Sequence, residues 1–131
     1  MTRNASLDTN ALLRLILNDI PEQRKKVIDL LNLPDIEYHV SDLVVAEIIF
    51  NLQTFGYTRK FISEKVQKLL AQPNINYNMP LFAQVFPYYV KHPALSFVDC
   101  YAAFDAEQAN AEPLYTFDRK LANQHKCAKL I

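Results

Sequence analysis

The feature that most constrains this chain is an alternation. Strand-like segments, "NASL" at 4–7, "IEYHV" at 36–40, "NINYN" at 74–78, "EPLYTF" at 112–117 and "CAKLI" at 127–131, are separated by helix-like ones. Helices are expected near 10–18 and 21–33, then from a cap at Ser41 or Asp42 to near Gly56. The next starts from a cap at Thr58, and in it Phe61, Ile62, Val66, Leu69 and Leu70 recur at helical spacing. Three more are expected: "PLFAQVFPYYVKH", with Pro80 in its first position and a break or kink at Pro87; a helix capped by Ser96; and "DRKLANQH". Strands joined through helices become parallel neighbours, because a parallel pair needs a crossover connection. The expected class is therefore α/β, a mostly parallel sheet flanked by helices. In such sheets ligands bind beyond the carboxyl ends of the strands.

At 131 residues, 1–131 reads as one domain, large enough to bury a core. No apolar run approaches the roughly 20 residues of a membrane span. The first residues lack the apolar stretch of a signal peptide, so the expected compartment is the cytoplasm. The 14 basic and 14 acidic side chains cancel, which argues against coating nucleic acid by bulk charge but leaves room for a local basic rim. Gly56 is the only glycine, and phosphate-cradling loops of the Walker A or dinucleotide type need several. Cys100 and Cys127, without a CxxC, supply neither a zinc ligand set nor a disulfide framework and read as buried thiols.

Most of the acids fall among polar residues or at helix ends; four do not. Asp8 ends a strand, and Glu47 lies within "VVAEIIF" near the apolar stripe of Val44, Ile48 and Leu52. Asp99 stands in the first turn of the apolar helix "FVDCYAAF", and Asp118 follows "LYTF" at a strand-to-helix junction. Singly, each has an ordinary explanation. Asp8 and Asp118 suit helix N-caps, Asp99 suits the positive end of its helix, and Glu47 suits pairing with a buried arginine. Jointly, two strand ends and two helix positions could meet in one cleft. At an effective dielectric near 20, two carboxylates ~5 Å apart repel by about 3 kcal/mol, so such a cleft needs a cation. Oxygen ligands without suitable Cys or His select Mg²⁺ or Mn²⁺ over zinc, and Mg²⁺ shares its remaining positions with phosphate.

The stretches "SLDTNALLRLILNDIPEQ", "VSDLVVAEIIFNL", "SFVDCYAAFDAEQAN" and "LYTFDRKLAN" together resemble PIN-domain ribonucleases, specifically the VapC toxins of bacterial and archaeal toxin–antitoxin pairs. DTN alone is weak; DTN, an in-helix glutamate, FVD and TFD in that order are specific, and they span nearly the whole chain. The resemblance implies a three-layer α/β/α sandwich with a sheet of four to five strands, and metal-dependent cleavage of RNA. Carried over by position, Asp8, Glu47 and Asp99 match the family's metal-binding acids, and Asp118 matches the fourth. Asn10 and Thr116 match polar neighbours that hold these carboxylates, and Ser96 is an N-cap. Arg14 recurs in this subgroup, as a contact to RNA or to an inhibiting acidic residue, or in a surface salt bridge. The resemblance also implies a cognate antitoxin protein and a homodimer; if the apolar helix faces around Leu52, Phe55 and Phe61 exceed what the core can bury, they would take an antitoxin helix or a second copy of the chain. One departure is Asp105, where members commonly carry a small residue; it faces either the site or solvent.

Three other readings stay open. A metal-independent ribonuclease would use His39, His92 and His125, which the sequence places at strand ends, helix ends or the surface, with no evident partner pair. A binding module would keep the fold without metal. A housekeeping nuclease of RNA maturation would share the chemistry but not the toxin role.

Overall fold

In the computed structural model, which describes residues 2–131, the chain forms two compact units, one through Asn78 and one from Met79 to Ile131. The described residues make seven helices and five short strands, every strand pairing parallel. This is the α/β architecture that the alternation predicts.

The first unit runs β1 (Arg3–Ser6), α1 (Thr9–Leu17), α2 (Pro21–Leu31), β2 (Ile36–His39), α3 (Asp42–Thr54), α4 (Arg59–Leu70) and β3 (Ile75–Asn76). Its sheet has the order β1-β2-β3, with Arg3 opposite Ile36, Ser6 opposite His39 and Tyr38 opposite Ile75. Helix starts follow polar caps: Asp8 receives Ala11 N–H at 2.9 Å, Ser41 receives Val44 N–H at 3.2 Å, and Thr58 receives Phe61 N–H at 3.2 Å. Helix α3 ends as its glycine dictates. Gly56 adopts φ +90°, and N–H groups of Gly56 and Tyr57 reach back to the carbonyls of Gln53 and Leu52, the Schellman arrangement. Leu12, Val45, Ile48, Ile49, Leu52, Ile62 and Val66 are fully buried where α1, α3 and α4 pack together. Each such side chain contributes about 1.5–3 kcal/mol of transfer free energy.

The second unit runs α5 (Met79–Lys91), α6 (Phe97–Gln108), β4 (Leu114–Thr116), α7 (Arg119–Gln124) and β5 (Ala128–Leu130). Strand β4 pairs with β5 alone, so the five strands are hydrogen-bonded as three and two. Helices α5 and α6 pack closely, and Phe82, Phe86 and Phe97 form an aromatic cluster with centroids 5.5–6.2 Å apart. Pro80 is the second residue of α5, one later than expected, and Pro87 lies inside the helix without ending it. The residues beyond Pro87 are fixed by packing: Tyr89 is fully buried, and the Tyr88 hydroxyl donates to the Gln124 carbonyl. That tertiary anchoring offsets the hydrogen bond a mid-helix proline removes.

Candidate active site

Each acid singled out by its sequence setting occupies a defined place. In the first unit, Asp8 is the N-cap of α1, and its Oδ1 accepts the Ala11 N–H at 2.9 Å. Glu47 lies mid-way along α3, exposed, and its Oε2 accepts the Thr9 hydroxyl at 2.7 Å. That bond ties the start of α1 to α3, so the residue following Asp8 orients Glu47. The sequence alone assigns Thr9 no separate role; the signal available was its place inside the DTN triplet. Asn10 makes no hydrogen bond to an acid. It lines a small pocket of about 230 Å³ between α1 and α2, together with Arg14, Gln23, Lys26 and Val27. Arg14 is in a salt bridge, Nη1 to Asp19 Oδ2 at 3.1 Å, while its Nε is buried without a hydrogen-bond partner. A larger cleft of about 430 Å³, lined by Leu15, Ile28, Leu31 and Leu69 with Arg24 and Lys65, contains none of the four acids.

In the second unit, Asp99 and Ser96 form a capping box. The Asp99 N–H donates to Ser96 Oγ at 3.1 Å, and Asp99 Oδ2 accepts the Ser96 N–H at 3.3 Å. Asp118 caps α7, its Oδ1 accepting from Lys120 N at 2.9 Å and Leu121 N at 3.2 Å. Thr116 holds the Asp118 backbone, its hydroxyl oxygen accepting the Asp118 N–H at 2.9 Å. Asp105 is half-buried on α6, and six residues of helix turn it about 120° away from Asp99.

One pattern is common to all four acids. Each is hydrogen-bonded through one carboxylate oxygen, Asp8, Asp99 and Asp118 by nearby backbone N–H groups and Glu47 by the Thr9 hydroxyl, while the other oxygen accepts no hydrogen bond among the described residues. Hard, oxygen-only donors held in place at one atom and open at the other suit a hard divalent cation of the Mg²⁺ type.

Among the described residues, Glu107, His125 and Cys127 are metal-capable side chains whose ligand atoms lie within 4.8 Å of one another. His125 caps the C-terminal end of α7, where it is buried. Its Nδ1 accepts the Cys127 N–H at 3.0 Å, so the proton of the neutral ring sits on Nε2, 3.7 Å from Glu107 Oε1. A metal on Nε2 would require a proton on Nδ1, pointing at an N–H donor, so this arrangement does not fit a metal site. Burial lowers the basicity of His125, and the nearby Glu107 carboxylate offsets this in part. Phe104 and Tyr88 meet the imidazole edge-on at centroid distances of 4.7 and 5.0 Å, completing a packed structural cluster.

The PIN domain family model matches residues 5–126, a span that holds all four acids. The chain belongs to the PIN domain family. PIN domains are in general metal-dependent nuclease folds that use divalent ions and act on RNA. Comparison with curated proteins gives no match. Among solved structures, the chain is similar to PAE2754 from Pyrobaculum aerophilum, at 23% identity and a TM-score of 0.32, with 99% of this chain and 92% of that one covered. No helix among the described residues is long and apolar enough to cross a membrane.

Proposed function

We propose that this PIN domain is an Mg²⁺- or Mn²⁺-dependent endoribonuclease acting in the cytoplasm as the toxin of a toxin–antitoxin pair. The observation that carries the reading is the shared state of Asp8, Glu47, Asp99 and Asp118. All four lie inside the family match, and among the described residues each keeps one carboxylate oxygen without a hydrogen-bond partner. Asp8, Glu47 and Asp99 hold the ion, with Asp118 as the fourth acid. Thr9 and Thr116 keep Glu47 and Asp118 in position through the bonds described above. When bound, the ion supplies a water of lowered pKa and stabilises charge on the phosphoryl oxygens. Hydrolysis by water leaves the 2′-hydroxyl unused, so the expected ends are 5′-phosphate and 3′-hydroxyl.

Apolar side chains left exposed on α3 and just beyond it, Leu43, Phe50 and Phe55, support an antitoxin or homodimer contact there. Leu52, by contrast, is fully buried, and Phe61 stacks on Tyr57 at 4.7 Å.

The test incubates wild-type protein and Asp99→Asn with labelled total RNA in Mg²⁺, Mn²⁺ or EDTA. Cleavage that needs metal, leaves 5′-phosphates and is lost in the folded variant is expected. EDTA-resistant cleavage with 2′,3′-cyclic phosphate ends would overturn the metal mechanism. Growth arrest on expression, relieved by the same substitution, is the expected sign of the toxin role.

A further inference from the structure

The last nineteen residues depart from the neutral balance of the whole chain. From Pro113 to Ile131 they hold four cations, Arg119, Lys120, Lys126 and Lys129, and one acid, Asp118. All four cations are exposed. Among them stand two aromatic rings that folding leaves in water: Tyr115 is 60% exposed and Phe117 77% exposed. Burying a Phe ring contributes about 1.5–3 kcal/mol, yet the fold forgoes this for the residue directly before Asp118. Phe104, on the same unit, packs edge-on against Tyr88.

The geometry of the β4–β5 pair sets cation beside ring. In the parallel register Tyr115 lies opposite Lys129, and side chains of paired residues project from the same face of a sheet. Phe117 follows two residues on, with Arg119 and Lys120 opening α7 just beyond Asp118. Exposed rings interleaved with cations provide what an unpaired nucleic-acid strand needs, a π-surface for each base and a positive charge for each phosphate. A duplex hides its base faces in the stack and offers them to no side chain. An apolar protein partner would gain nothing from the four cations.

We propose that Tyr115 and Phe117, with Lys129, Arg119 and Lys120, form a stacking surface for single-stranded RNA beside Asp118. The inference rests on the ribonuclease reading and deepens it by naming the residues that would position the RNA, with a base laid on Phe117 next to the fourth acid. Phe117 is then a positioning residue that sets which phosphate is presented to the acids.

The absence of tryptophan from the chain makes the test direct. In an Asp99→Asn background, which keeps the RNA from being consumed, Phe117→Trp places a lone indole fluorophore at the surface. Its emission should be quenched by a short single-stranded oligoribonucleotide and left unchanged by the same sequence annealed to its complement. In the same background, Phe117→Ala and Tyr115→Ala should each weaken binding of the single strand by roughly 5- to 100-fold, the range set by loss of one stacked base. Phe117→Tyr should restore it. In the otherwise wild-type chain, Phe117→Ala should shift the pattern of cut sites as well as slow cleavage. Single-strand affinity within twofold of the parent for both alanine variants, with an indole that does not respond, overturns the inference; if wild-type cleavage of RNA persists, the nuclease reading stands. Absence of both RNA binding and metal-dependent cleavage in the wild-type chain removes both.

Discussion

Replacing Asp99 by Asn should separate two roles that one carboxylate combines. Its Oδ2 takes the Ser96 N–H at 3.3 Å while its own N–H donates to Ser96 Oγ, so it completes a capping box. An asparagine carbonyl accepts the same bond at the same place, and what disappears is the negative charge. The stability change should therefore stay within about 0.5 kcal/mol. Ser96→Ala does the reverse. It removes the hydroxyl from the cap, costing about 1 kcal/mol, or roughly 3–6 °C in melting temperature for a chain of this size, and leaves the charge of Asp99 in place. In the metal reading Asp99→Asn forfeits about 3 kcal/mol of transition-state stabilisation, roughly a 100-fold loss of cleavage rate, whereas Ser96→Ala should stay within a few-fold of wild type. Urea titrations read by circular dichroism, paired with initial rates on a defined RNA in Mg²⁺, measure both axes. Full activity in Asp99→Asn would refute the assignment outright. A stability loss in Asp99→Asn matching that of Ser96→Ala would show that the cap depends on the charge, and the proposed separation of roles would fail.

Thr9→Ala removes the hydroxyl that holds Glu47 Oε2 and should raise the Mn²⁺ dissociation constant by roughly 10-fold, with Thr9→Ser near wild type; calorimetric titration with equal affinities for all three would show that Glu47 needs no orienting. Mn²⁺ at about 100 times its dissociation constant should stabilise the fold by about 2.7 kcal/mol, an effect that Asp8→Asn and Asp99→Asn should each diminish in thermal melts. His125 gives a pH dependence of definite sign. Burial lowers its pKa in the folded state, so the unfolded chain binds the extra proton in the window below about 6.5, and stability is complete above that window and falls with acidification. The slope from this residue cannot exceed about 1.4 kcal/mol per pH unit, and His125→Gln should flatten it; a gain in stability on acidification through the window would reverse the argument.

The alternation of strands and helices was legible because each boundary carries its own chemistry. Ser41, Thr58 and Ser96 cap the helices they precede, and Gly56 closes α3 in the only backbone conformation that favours glycine there. What periodicity could not supply was tertiary context. Pro87 signals a break by its missing N–H, and only the burial of Tyr89 and the Tyr88–Gln124 bond, thirty-six residues apart, explain why α5 continues to Lys91. His125 ends a short polar helix, as its place after "DRKLANQ" indicates, but its burial is not legible there. Its burial comes from Tyr88 and Phe104 on other helices, which no local pattern encodes.

The acids show why a site is harder to read than a fold. For Asp8, Asp99 and Asp118 the structural and the catalytic readings were posed as alternatives, since a cap explains an acid at a helix start without any metal. The hydrogen bonds make the two compatible. A carboxylate has two oxygens, and a cap occupies one. Fixing that oxygen to the backbone removes rotamer freedom from the side chain, so the second oxygen is presented at lower entropic cost than on a freely rotating acid. A helix start also places partial positive charge behind the carboxylate, which favours its ionised form. Glu47 lies mid-helix, where no backbone N–H is available, and there the Thr9 hydroxyl plays the same part. In the proposed metal reading, the sequence positions that made these acids look ordinary are thus the ones that prepare them to bind an ion.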